Sequence, residues 1–133
     1  MNSLVLPTLT KAEGYLRRAH VKVVRRYLQA LVRHGIPVRF GVLFGSQASG
    51  HPDPWSDIDL LVVSPRFDNE RRRDDVNLLW RVAARTDSRI EPVAVGHRQI
   101  EEDDSSALIE IARCEGLIVP LAQAAMRPNR TAD

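Results

Sequence analysis

Between residues 11 and 34 the apolar positions recur at helical spacing. Leu16, Ala19, Val23, Tyr27 and Ala30 form a stripe that Val24, Leu28 and Leu31 widen. Thr10 with Glu13 three residues on makes a capping box, Gly35 stops the helix and Pro37 prevents its resumption. The period then changes. Val38 to Phe44 is a nearly unbroken apolar run, as in a strand covered on both faces. Gly50, Pro52 and Pro54 make most of 47–56 a loop. Asp57 to Ser64 reads as a second strand, with Asp57, Asp59, Leu61 and Val63 on one face and Ile58, Leu60 and Val62 on the other. Pro65 ends it. A helix is predicted over Asp68 to Arg85, capped by Asp68 or Asn69, with Val76, Leu79, Trp80 and Ala83 as its stripe. Arg89 to Val95 is a third strand on which Glu91 shares a face with Val93 and Val95, and Pro92 argues for a strand end or a sheet edge. Gly96 to Asp104 reads as a polar connection, Ser105 or Ser106 opens a helix running to Cys114, and Leu117 to Val119 is a short last strand. The order of elements is that of a single α/β (α+β) domain.

Composition narrows the class. A chain of 133 residues, 44% hydrophobic and 27% charged, suits one domain with a modest core. No run is long enough to span a membrane, and Leu4-Val5-Leu6 is too short for a signal-peptide core. Cys114 is the only cysteine, so no internal disulfide forms, which fits a reducing, cytoplasmic setting. Charge divides the chain further. Residues 1–40 hold eight basic residues and one acid, a balance of +7, and the remainder balances to −5. Such a basic helix could meet RNA, nucleotide phosphates or an acidic partner. Without aromatic interleaving or an RNA-binding motif, a solvated face is the better reading than RNA. Arg71-Arg72-Arg73 reads as a solvated first turn. The expected organisation is a basic helix over 1–35 packed on the core, a main body over 36–119 and a frayed tail over 120–133.

The candidate chemistry lies at the start of the second strand. Asp57 and Asp59 project to one face with Cα atoms roughly 6.5–7 Å apart, close enough to share a small cation or bridge two. Hard oxygen donors favour Mg²⁺ or Mn²⁺ over Zn²⁺. Gly45, lacking a Cβ, lets a phosphate approach the backbone, and Ser46 adds a hydroxyl and an N–H. A cation site facing a phosphate site is what a nucleoside triphosphate needs. Trp55 either stacks on a base or packs as an anchor beside the site, and Arg25 or Arg26 are further candidates for phosphate contacts.

Gly45-Ser46-Gln47-Ala48-Ser49-Gly50, a short loop, and Ser56-Asp57-Ile58-Asp59-Leu60 resemble the motif of the nucleotidyltransferase superfamily that includes DNA polymerase β and kanamycin nucleotidyltransferase, and most closely its minimal nucleotidyltransferase branch. The resemblance implies a mixed β-sheet packed against helices. It implies that Asp57 and Asp59 hold Mg²⁺, and that Glu91 is the third carboxylate, ligand to the metal and base toward the acceptor hydroxyl. Gly45 and Ser46 would receive the triphosphate of ATP or another NTP. The implied reaction moves an NMP to a hydroxyl and releases pyrophosphate. The chain has no room for an acceptor-holding domain, so the acceptor is another macromolecule or is bound at a homo-oligomer interface. Many members of the minimal branch are antitoxins that add AMP to a tyrosine of a HEPN-domain ribonuclease toxin. The competing reading is a module of the same fold that acts on its partner by contact alone.

Overall fold

The computed structural model describes residues 11–44, 55–102, 110 and 116–122, with side chains from residue 16 onward. Helix α1 spans Lys11–Arg33. Its deepest positions are Val24, Tyr27, Leu28 and Leu31, whereas Leu16, Ala19 and Val23 are only half-buried. The buried line continues one turn earlier through His20, a polar residue that an apolar pattern passes over. Gly35 terminates the helix at φ 96°, a left-handed conformation that costs glycine little. Gly35 N donates to Val32 O at 3.0 Å and Ile36 N to Leu31 O at 3.0 Å, the double bond of a Schellman stop. Buried Ile36 completes it by packing in one cluster with Leu31.

Four strands follow: β1 Phe40–Phe44, β2 Ile58–Ser64, β3 Ile90–Gly96 and β4 Leu117–Pro120. They form a mixed sheet in the order β3-β2-β1-β4, with β1 antiparallel to both neighbours and β2 parallel to β3. The parallel pair is joined by helix α2, Arg73–Thr86, as such a crossover requires. Pro92 lies within β3, which is an edge of the sheet, where a residue without N–H is tolerated.

The two faces of the sheet carry separate cores. Leu43, Ile58, Leu60, Val62, Ile90, Ala94 and Val119 pack with α1 and α2. Tyr27 fastens the two helices, its hydroxyl donating to Leu79 O at 2.9 Å, and burial pushes the phenol well above its ordinary pKa. The other face joins Val42, Phe44, Leu61, Val63 and Val95 to Ile100 of a short helix α3, His97–Glu102.

Four expectations are corrected here. The second long helix begins at Arg73 rather than Asp68. Ser64 Oγ accepts from Arg66 N at 3.1 Å and opens a 3₁₀ turn over Pro65–Phe67 instead, and the Arg66 guanidinium then clasps buried Asp75 through bonds of 2.9 and 3.1 Å. The segment read as a polar connection contains α3. Asp68 caps it from a distance, its carboxylate accepting from Arg98 N at 2.9 Å. That approach is so close that a Cβ on Gly96 would lie 2.8 Å from Asp68 Cα. Arg71, expected in a solvated turn, donates to Ala94 O at 2.9 Å and to Gln99 Oε1, so it ties β3 to α3. Trp80, placed in the apolar stripe, is 48% exposed, and Val82 takes its place in the core. The helix expected over 105–114 falls largely outside the described residues, as does Cys114, and so does the tail beyond residue 122.

Candidate active site

Alternation along β2 sends Ile58, Leu60 and Val62 into the helix-covered core, which leaves Asp59 on the opposite face with Leu61 and Val63. The register then decides what stands beside it. Asp59 is level with Phe44 on β1 and with Glu91 on β3. In a parallel pair such neighbours share a face, so the two carboxylates are side by side. Asp57 lies just before the strand, exposed, and forms a side-chain hydrogen bond with Glu91.

The electrostatics follow from this placement. The bond to Asp57 raises the proton affinity of Glu91 first, burial adds to it, and the charges of Asp57 and Asp59 add further. Asp59 is half-buried, and its proton affinity rises through burial and then through the charge of Asp57. Three carboxylates gather at one end of the sheet, two of them holding protons more tightly than usual. In kind they suit a hard divalent cation. Among the described residues, however, no three His, Cys, Asp or Glu side chains are already arranged to hold a metal ion. The fit therefore rests on donor chemistry and a shared face, not on a preformed cage.

Two features hold this end of the sheet together. Ile58 N donates to Arg89 O at 2.7 Å, joining the starts of β2 and β3. The Arg89 guanidinium clasps Asp87 at 3.0 and 2.6 Å and reaches Nε2 of buried His20 at 3.2 Å. The bonds from Arg89 hold the Asp87 carboxyl below its ordinary pKa. The pattern reading took Arg89 only as the start of a strand. Asp87 and Arg89 at two-residue spacing before an apolar run were the available signal, but the partner on α1 is visible only in the fold.

Gly45 and Ser46 lie outside the described residues, as do Gln47 and Ser49. Trp55 is 87% exposed, two residues ahead of Asp57, which rules out a buried anchor. Arg25 donates to Pro120 O at 3.2 Å and thus braces β4. Among the described residues no helix is long and apolar enough to cross a membrane.

The architecture is a small α+β domain with a mixed sheet, α1 and α2 on one face, α3 on the other, and acidic residues gathered at one strand end. The chain belongs to the nucleotidyltransferase domain family, whose model matches residues 21–119. Its fold is similar to the crystal structure of a Sulfolobus solfataricus protein provisionally assigned as a nucleotidyltransferase, with a TM-score of 0.57 at 15% identity, covering 82% of this chain and 86% of that one. At that identity the likeness bears on the fold alone, which agrees with the α+β expectation. No curated protein matches the sequence. The chain is thus a nucleotidyltransferase by family, with NMP transfer as its general reaction.

Proposed function

We propose that this protein transfers AMP from ATP to an acceptor hydroxyl in a Mg²⁺-dependent reaction, with Asp57, Asp59 and Glu91 as its acidic centre. The observation that carries the reading is the register that sets Glu91 beside Asp59 on a parallel strand, within a hydrogen bond of Asp57. In this reading Asp57 and Asp59 hold the cation, and Glu91 completes the set. When bound, the ion would neutralise phosphate charge and lower the pKa of the acceptor hydroxyl. Glu91 accepts the proton of that hydroxyl, a role its raised basicity suits. Gly45 and Ser46 receive the triphosphate through backbone N–H groups and a hydroxyl. Trp55, exposed and two residues ahead of Asp57 in the chain, stacks on the base in this reading.

For the acceptor, the resemblance to the minimal branch supports a tyrosine of a HEPN-type toxin, which makes the protein an antitoxin. Calorimetric titration of ATP with and without Mg²⁺, on the wild type and on Asp57→Ala/Asp59→Ala, tests the chemistry. Binding that needs Mg²⁺ and vanishes in the variant is expected. No binding by the wild type at millimolar ATP would sink the enzymatic reading and leave the contact-only module.

A further inference from the structure

Between helices α1 and α2 lies an open basic cavity of about 350 Å³. Arg26, Gln29, Ala30 and Arg33 line it from α1, and Arg85 and Thr86 from α2. These helices cover the face of the sheet opposite Asp59 and Glu91, so the cavity is separate from the acidic centre.

Its neutral polar groups are already engaged. Gln29 Nε2 donates to Leu121 O at 2.8 Å, and Thr86 Oγ1 donates to Val82 O at 2.9 Å. The three arginines are exposed, and among the described residues none of them forms an ion pair with a carboxylate. Arg33 and Arg85 sit in the last turns of their helices, where a cation complements the dipole. That use does not extend to Arg26, which lies about two turns before the end of α1. Nor does it require the three groups to converge on one cavity, where they repel one another.

We propose that this cavity binds phosphate groups. Three guanidinium groups around a small volume call for a ligand of more than one negative charge, and a lone carboxylate would balance only one of them. Each guanidinium presents a fork of donors that matches phosphate oxygens bidentately. A diphosphate places its charges within a volume the cavity can hold. The same chemistry is offered by inorganic pyrophosphate or by successive phosphates of a single-stranded nucleic acid. Lys22, exposed one turn before Arg26, extends the basic line along α1 for the longer ligand.

Calorimetry with inorganic pyrophosphate in EDTA at low salt tests the site without recourse to catalysis. Saturable binding by the wild type is expected, weakened about tenfold or more in Arg26→Ala/Arg33→Ala/Arg85→Ala, since charge-assisted bonds are lost. Arg81→Ala, exposed on α2 outside the cavity, and Asp57→Asn/Asp59→Asn should bind like the wild type. Thermal melts of all variants establish that each is folded. A single-stranded oligonucleotide forms the second arm. If it is the source, the triple variant lowers the slope of log affinity against log salt by about 2. If pyrophosphate affinity falls in the triple variant while that slope stays, the source is the small anion. Either result supports the site. No binding of pyrophosphate by the wild type, or equal binding by the triple variant, overturns it, and so does tighter capture of an acidic peptide than of either phosphate ligand.

Discussion

The two faces of the sheet are built from the same strands and have different fates. On one, Ile58, Leu60 and Val62 are fully buried under α1 and α2 along the whole length of β2. On the other, Leu61 and Val63 are equally buried beneath α3, but Asp59 is half-buried and Asp57 exposed. Among the described residues, apolar cover on that face thus lies toward the end of β2 and not its start. Under the proposed function, this difference lets one strand serve both stability and chemistry. A face capped throughout by helices excludes water and accepts only apolar side chains. In the proposed function, the less covered end of the other face is where carboxylates meet water, a cation and a substrate.

The contrast can be broken from either side. Leu60→Ala should cost about 2–5 kcal/mol in urea-induced unfolding, because the cavity lies where two helices meet the sheet. A loss below about 1 kcal/mol would mean that the helix-covered face is looser than its burial indicates. Under the proposed function, Asp59→Asn and Glu91→Gln should lower nucleotidyl transfer by about 10²–10³-fold. Their melting temperatures should hold or rise, since each removes one of several mutually repelling charges. A variant that loses activity and stability together would place these residues in the core's work instead. Tyr27→Phe, on the packed side, should cost about 1 kcal/mol, because it removes a single buried hydrogen bond to Leu79 O.

The smallest expected effect lies at the end of the sheet where β3 begins, in the pair that reaches His20 of α1. The Arg89 bonds depress the Asp87 carboxyl, so its contribution to stability is complete above the ordinary aspartate value and is lost as pH falls through the depressed one. Asp87→Asn should therefore flatten stability against pH in the acid range, by less than about 1 kcal/mol given partial solvent screening. The check is a set of urea melts between pH 2 and pH 6 (about two units either side of an ordinary aspartate). An unchanged profile would show that the pair adds nothing in solution.

Much of this architecture is legible without coordinates. A period of two is enough to place Asp57 and Asp59 on one face and Ile58, Leu60 and Val62 on the other, whatever the strand pairs with. Gly35 before Ile36 and Pro37 announces a helix stop, and the φ of 96° at Gly35 agrees. These features are local, written within a few residues of chain. The resemblance carried by residues 45–60 pointed to the family, and the match over residues 21–119 agrees.

What needed the tertiary structure is long-range. No local pattern states that β3 pairs parallel to β2 with Glu91 level with Asp59, because that register depends on how α2 packs as it crosses over. Asp68 and Arg71 look like helix-start residues by sequence. They are instead drawn to Arg98 N, Ala94 O and Gln99 because those groups, 23 to 30 residues away, need partners once the sheet forms. The link from Arg89 to His20 spans 69 residues, and the basic cavity combines the end of one helix with the end of another. The sequence by itself determined which side chains share a face, since alternation and helical period are set by the backbone. Only the fold decided which faces meet, since that depends on packing summed over the whole chain.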